Sequence, residues 1–163
     1  MDAIGTAVGQ VAPGFDLPGV DGRTGEPGRW SLAEQRGRPV VVLFYPGDSS
    51  PVCRRQLTQY TAGLDGFAEL DAQVLAVSHQ SPESHRRFAE RSGGFGFPLL
   101  SDVDRSVGRA WGVVGMLDLY RRCTFVLDGA GVVRYAHRVI GPGLSFRPVA
   151  EVVEAVRSSV EGT

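Results

Sequence analysis

The sequence contains no lysine; all 17 of its basic residues are arginine. That absence excludes chemistry needing a lysine amine, including Schiff-base formation, pyridoxal phosphate attachment and a Walker-type phosphate loop. Cysteine is nearly absent too. Cys53 and Cys123 stand 70 positions apart, which makes no disulfide scaffold, and there is no CxxC pair. His79, His85 and His137 are scattered, so no Cys/His cluster has metal spacing and neither metal nor other cofactor is expected. No apolar run approaches the roughly 18 residues of a membrane span. The opening MDAIGTAVGQ lacks the basic start and apolar core of a signal peptide. A cytoplasmic protein without a membrane partner is the expectation. Net charge is −1, so no global field draws the chain to phosphate backbones, and no nucleic-acid partner is expected. Arg54-Arg55 and Arg86-Arg87 read as solvated helix faces.

What is present is a chain of 163 residues, 42% hydrophobic and 21% charged, enough for one domain with a sizeable core and not for two. The first 38 residues are rich in Gly and Pro and read as turns and a small hairpin covering one end of the core. Val40–Tyr45 is a continuous β-branched and aromatic run, as in a strand buried on both faces. Leu57, Tyr60, Thr61 and Leu64 recur at helical spacing, so a helix begins around Ser50–Cys53 and weakens at Gly63 and Gly66. Val74–Val77 predicts a second buried strand. Ser81-Pro82-Glu83 predicts a helix start, with a cap, a first-position proline and an early acid. A short helix around Arg105–Trp111, a third strand at Thr124–Leu127 and a hairpin turn at Asp128–Gly131 into Val132–Val139 follow. Val149, Val152, Val153, Val156 and Val160 form one helical stripe. The order is that of an α/β fold with a crossover half and an antiparallel half.

Cys53 falls on this plan in the first turn of a helix that follows a central strand, with Ser50 as N-cap and Pro51 as the first helical residue. Ligand sites in open α/β sheets lie beyond the carboxyl ends of strands. Unpaired backbone N–H groups and the helix dipole favour a thiolate in that turn. The other reading of the same position is a small buried hydrophobe.

The motif around it, Pro46-x-x-x-Ser50-x-x-Cys53, resembles the PxxxTxxC signature of peroxiredoxins, with Ser for the more usual Thr. The stretch VSHQSPESHRRFAERSGGFGFPLLSDVDRSVGRAWGV (residues 77–113) is similar to the SPESHxxFAxKxxxxFPLLSDxxxxVAxAYGV region of the bacterioferritin-comigratory or Q-type branch. Residues 122–128, RCTFVLD, resemble that branch's RxTFVID strand, and residues 12–18, APGFDLP, its APDFxLP opening. The resemblance implies a thioredoxin-like fold with the peroxiredoxin N-terminal hairpin and insertion, its central mixed sheet flanked by helices. It also implies reduction of hydrogen peroxide and organic hydroperoxides through a cysteine sulfenic acid, in a monomer or homodimer. Carried over by position, Cys53 is the nucleophile, Ser50 the substrate-binding hydroxyl, Pro46 a pocket-shaping residue and Arg122 the active-site arginine. Gln56 stands where relatives often carry a polar or acidic residue, and reads equally well as an exposed first-turn side chain.

A thiol whose pKa falls from about 8.5 to ~6 gains roughly 30-fold in thiolate at pH 7. It loses roughly 13-fold in nucleophilicity, leaving a factor of ~2–3. Most of the rate must therefore come from aligning the O–O bond and stabilising charge on the leaving oxygen. Ser50 and Arg122 are the residues expected to do this. Many Q-type relatives keep a resolving cysteine where Thr58 stands. Cys123 is the possible internal resolver, but neighbours on a strand point to opposite faces, so if Arg122 reaches Cys53, Cys123 points away. The expectation is a one-cysteine mechanism, the sulfenic acid being reduced by thioredoxin or a low-molecular-weight thiol. Two other readings use the same cysteine: a non-enzymatic peroxide sensor or interaction module, and a thioredoxin-like disulfide oxidoreductase, against which the missing CxxC argues. The apolar loop Val113–Leu117 is expected to line the pocket mouth, a dimer contact or a buried flap.

Overall fold

A computed structural model describes residues 6–139 and 144–161. Residues 1–5, part of the segment read for a leader, lie outside the described residues. Among the described residues seven strands form one mixed sheet: β1 (Asp16–Val20), β2 (Pro27–Ser31), β3 (Val40–Phe44), β4 (Gln73–Ser78), β5 (Leu99–Ser101), β6 (Cys123–Leu127) and β7 (Val133–Arg138). Their order across the sheet is β2-β1-β5-β4-β3-β6-β7. The β3–β4 and β4–β5 pairs are parallel, whereas β3–β6 and β6–β7 are antiparallel. A crossover half and an antiparallel half therefore meet at β3. The N-terminal hairpin does not cover an end of the core. It extends the sheet edge through β1 on β5, where the backbones approach so closely that a Cβ on Gly19 would lie 2.2 Å from the Leu99 carbonyl oxygen.

The helices are α1 (Pro51–Ala62), α2 (Leu64–Ala68), α3 (Pro82–Arg91), α4 (Ser106–Ala110) and α5 (Val149–Glu161). Gly63 ends α1 against α5, where a side chain would meet Val149: its Cβ would sit 2.8 Å from a Val149 methyl. Ser81 caps α3 by accepting from the Ser84 N–H at 3.1 Å, ahead of Pro82 in the first turn. In α5, Val152 and Val156 are buried.

Strand alternation sorts the core into two layers. Val41, Leu43 and Tyr45 pack on the face covered by α1, α3 and α5, whereas Val40, Val42 and Phe44 pack on the opposite face with Trp111, Tyr120 and Phe125. β3 is buried along its whole length, as its unbroken apolar run predicts. The loop after α4 does not form a buried flap: its single helical turn leaves Met116 and Leu117 82% and 86% exposed.

Candidate active site

The chain leaves β3 at Phe44, passes Tyr45 and Pro46, and re-enters helix at Pro51. Ser50 takes an extended backbone (φ −82°, ψ 126°), and its Oγ accepts from the Cys53 N–H at 3.3 Å. This cap is what an extended, hydroxyl-bearing residue before a first-turn proline dictates. The helical period then places Cys53, Gln56, Leu57 and Tyr60 on the inward face of α1, and all four are fully buried.

Arg122, the residue before β6, comes to the same place from the end of the strand paired with β3 and is itself buried. Its Nη2 donates to Cys53 Sγ at 3.3 Å, and its Nη1 donates to Gln56 Oε1 at 2.6 Å. Gln56 is therefore not an exposed side chain. Its amide holds the guanidinium that touches the sulfur, and the helical spacing from Cys53 was the signal for its burial. The Gln56 Nε2 has no hydrogen-bond partner among the described residues. Pro46 follows the strand end and is half-buried.

Cys123 lies on the other side of the sheet, packed with Phe44 and Phe125, while Cys53 packs with Tyr45 and Leu57. Burial pushes the Cys123 thiol up to about 11, against the opposing pull of Arg138 and Arg121. The two cysteines are separated by the sheet and both are free. His79 lies beside the Pro46 backbone, in the loop that leads to Cys53. Burial and Arg105 lower the His79 pKa, and burial and Arg147 that of His137.

A buried polar cluster that the sequence did not disclose underlies the loop before Cys53. Asp48 Oδ1 accepts from the Tyr45 hydroxyl at 2.8 Å, and Oδ2 accepts from Ser84 at 2.7 Å and faces His85 Nδ1 at 2.8 Å. The other ring nitrogen of His85 faces the Leu100 carbonyl at 2.9 Å. A carbonyl only accepts, so that nitrogen carries a proton. Burial opposes charge on Asp48, but hydrogen bonds from His85, Ser84 and Tyr45 outweigh it and hold the carboxyl below its ordinary range. Gln80 adds a bond to the Asp48 N–H at 2.6 Å. Among the described residues no group of three His, Cys, Asp or Glu is placed to hold a metal ion.

A sulfur on a first helical turn, touched by a buried arginine from a distant strand, is one half of the comparison. The other half is sequence: the model of the AhpC/TSA family matches residues 8–136. The chain belongs to the AhpC/TSA family. It is 38% identical over 151 residues to a chloroplastic peroxiredoxin Q of Populus jackii, covering 91% of this chain and 66% of that relative. A chloroplastic peroxiredoxin Q of Sedum lineare is 37% identical over 151 residues, covering 91% of this chain and 75% of the relative. The chain thus spans about two thirds to three quarters of these relatives' length. Among solved structures, a C84S mutant of Xanthomonas campestris peroxiredoxin Q aligns with a TM-score of 0.71 at 30% identity, covering 90% of each chain. A reduced 2-Cys peroxiredoxin of Plasmodium vivax aligns with a TM-score of 0.87 at 25% identity, covering 96% of this chain and 98% of the other. Both the expected thioredoxin-like peroxiredoxin fold and the likeness to the Q-type branch are borne out.

Proposed function

We infer that this AhpC/TSA-family chain is a thiol-dependent peroxidase acting on hydrogen peroxide and organic hydroperoxides. The observation that carries the reading is the 3.3 Å contact between Arg122 Nη2 and Cys53 Sγ. The Cys53 thiolate attacks one peroxide oxygen, an S–O bond forms and the O–O bond breaks. Sulfur is oxidised by two electrons to the sulfenic acid, and the departing oxygen leaves as water or an alcohol after taking a proton. Arg122 supplies fixed charge where negative charge moves from sulfur to the leaving oxygen. Ser50 uses its Oγ to accept from the Cys53 N–H and keeps its hydroxyl proton for the peroxide or the sulfur. Pro46 shapes the pocket rim.

The sheet between Cys53 and Cys123 supports a one-cysteine cycle in which an external thiol, thioredoxin or a low-molecular-weight thiol, regenerates Cys53. Free cysteines fit a reducing compartment, and a cytoplasmic location belongs to the proposal. The test mixes reduced protein with one equivalent of hydrogen peroxide and follows thiol loss and mass. Cys53 gains one oxygen; Cys53→Ser abolishes the reaction and Cys123→Ser does not. Oxidation no faster than that of free cysteine sinks the peroxidase reading, and a Cys53–Cys123 disulfide sinks the one-cysteine cycle.

A further inference from the structure

A cavity of about 550 Å³ opens between the first turns of α1 and the end of α3. Its walls are the loop at Asp48–Pro51, Arg54, Arg55 and Thr58 of α1, and Phe88 and Arg91 of α3. Three guanidiniums converge here, and none is paired with a carboxylate among the described residues. Arg54 donates to the Arg91 carbonyl at 3.4 Å, and Arg91 donates to the Asp48 carbonyl at 2.5 Å while lying over the Phe88 ring. Arg55 lies over Phe146. Elsewhere on the surface several arginines, among them Arg86, Arg109, Arg147 and Arg157, rest on acids. Asp48 is the single acid in this wall, and its carboxylate is turned inward to Tyr45, Ser84 and His85. The cavity is thus cationic at its rim with an apolar patch at Phe88 and Pro51.

The cavity also lies between α1 and α3, and Arg122 is not among the residues that line it. α3 packs over β1 and β5, and β4 and β3 lie between those strands and β6, the strand that Arg122 precedes. Of the residues placed around the reacting hydroperoxide only Ser50 lines the cavity; Pro46, Cys53 and Arg122 do not. A reductant has a use for such a site. Cys123 is across the sheet, so the second thiol must come from outside, and the wall between the cavity and the sealed Cys53 sulfur is the first turn of α1.

We propose that this cavity is the docking site for the reductant and that the reductant is an anionic low-molecular-weight thiol, its carboxylates on Arg54, Arg55 and Arg91. The inference rests on the peroxidase reading above. Once the first turn yields, the docked thiol attacks the Cys53 sulfenic acid, an S–S bond forms, the S–O bond breaks, and the departing oxygen takes the thiol's proton and leaves as water. A second equivalent of the same thiol then attacks the outer sulfur, releasing the small disulfide and the Cys53 thiolate.

Binding tests the site without any turnover, using S-methylglutathione, which carries two carboxylates and cannot exchange. Its affinity for the reduced full-length protein is read by NMR shifts, beside that of its diethyl ester. Wild type binds the acid at least about tenfold more tightly than the ester, and the double variant Arg54→Gln/Arg55→Gln loses that preference. Arg54→Lys/Arg55→Lys, which keeps the charge, retains most of it. The kinetic arm compares reduction of the sulfenic acid by glutathione and by its diethyl ester, normalised to each variant's own oxidation rate. Glutathione is faster by a similar factor in wild type and not in the glutamine variant. Equal binding of acid and ester, or a preference that survives the glutamine variant, overturns the site. Binding whose loss leaves the reduction ratio unchanged overturns its role as reductant dock. Failure of peroxide to oxidise Cys53 counts against the peroxidase reading, and the cavity then stands or falls on the binding result alone.

Discussion

Arg122 and Cys53, 69 positions apart in the chain, meet at 3.3 Å in the interior, the guanidinium donating directly to the sulfur. A buried cation held on a thiol by a second buried side chain is a preorganised electrostatic site, and its geometry exists before any substrate arrives.

Arg122→Met removes this charge with little change in side-chain length. The second-order rate of peroxide-dependent thiol loss falls about 10²- to 10³-fold, in line with removal of one preorganised donor. Arg122→Lys keeps the charge but not the fork, and recovers part of the rate. A folded Arg122→Met protein with an unchanged rate removes Arg122 from the reaction.

Gln56 holds the same guanidinium with a neutral oxygen at 2.6 Å. Gln56→Glu replaces it with a carboxylate that pairs with Arg122 and reduces the positive field at the sulfur. The pH–rate profile for peroxide moves to higher pH and the rate near neutrality drops several-fold. An unmoved profile in a protein with native circular dichroism shows that the amide's neutrality does not matter.

Asp48→Asn breaks the cluster beneath the loop. The neutral amide turns a donor toward groups that now donate, and His85 loses its anion. Unfolding in urea shows a loss of about 3–5 kcal/mol, the scale for breaking one side of a buried pair. Because the folded-state pKa of Asp48 lies below its ordinary 3.8, wild type holds this stabilisation above that pH. It loses it as pH falls through the lowered value, where the folded state finally takes up the proton. The variant lacks that acid-side loss.

Cys123 gives the opposite sign. Its folded thiol titrates at about 11, above the unfolded value of about 8.5, so between those values the unfolded chain releases a proton that the folded one keeps. Wild type loses stability across that window with a slope of up to about 1.4 kcal/mol per pH unit from this group. Cys123→Ala lacks that slope, and its peroxide rate at neutral pH equals that of wild type.

Much of the site was legible because its parts obey local rules. The buried run before Tyr45, the Ser50 cap, Pro51 and the strand alternation that sends Arg122 and Cys123 to opposite faces each follow from nearest neighbours in sequence. The cluster of Tyr45, Asp48, Ser84 and His85 was not legible. It joins a strand end, a loop and a helix nearly 40 positions on, and each residue has an ordinary surface or turn explanation on its own. The hairpin's docking on β5 was missed for the same reason, since an edge pairing depends on which strand is left at the sheet border. Gln56 lay between: its helical spacing from Cys53 pointed inward, but that signal was not used, and a polar side chain in a first turn invited an exposed reading.

The complete burial of the Cys53 sulfur sets a size limit on what can touch it. A thiol-bearing molecule is bulkier than hydrogen peroxide and has to displace more of the first turn of α1 to reach the sulfur, so substitutions that stiffen this turn are expected to slow recovery more than oxidation.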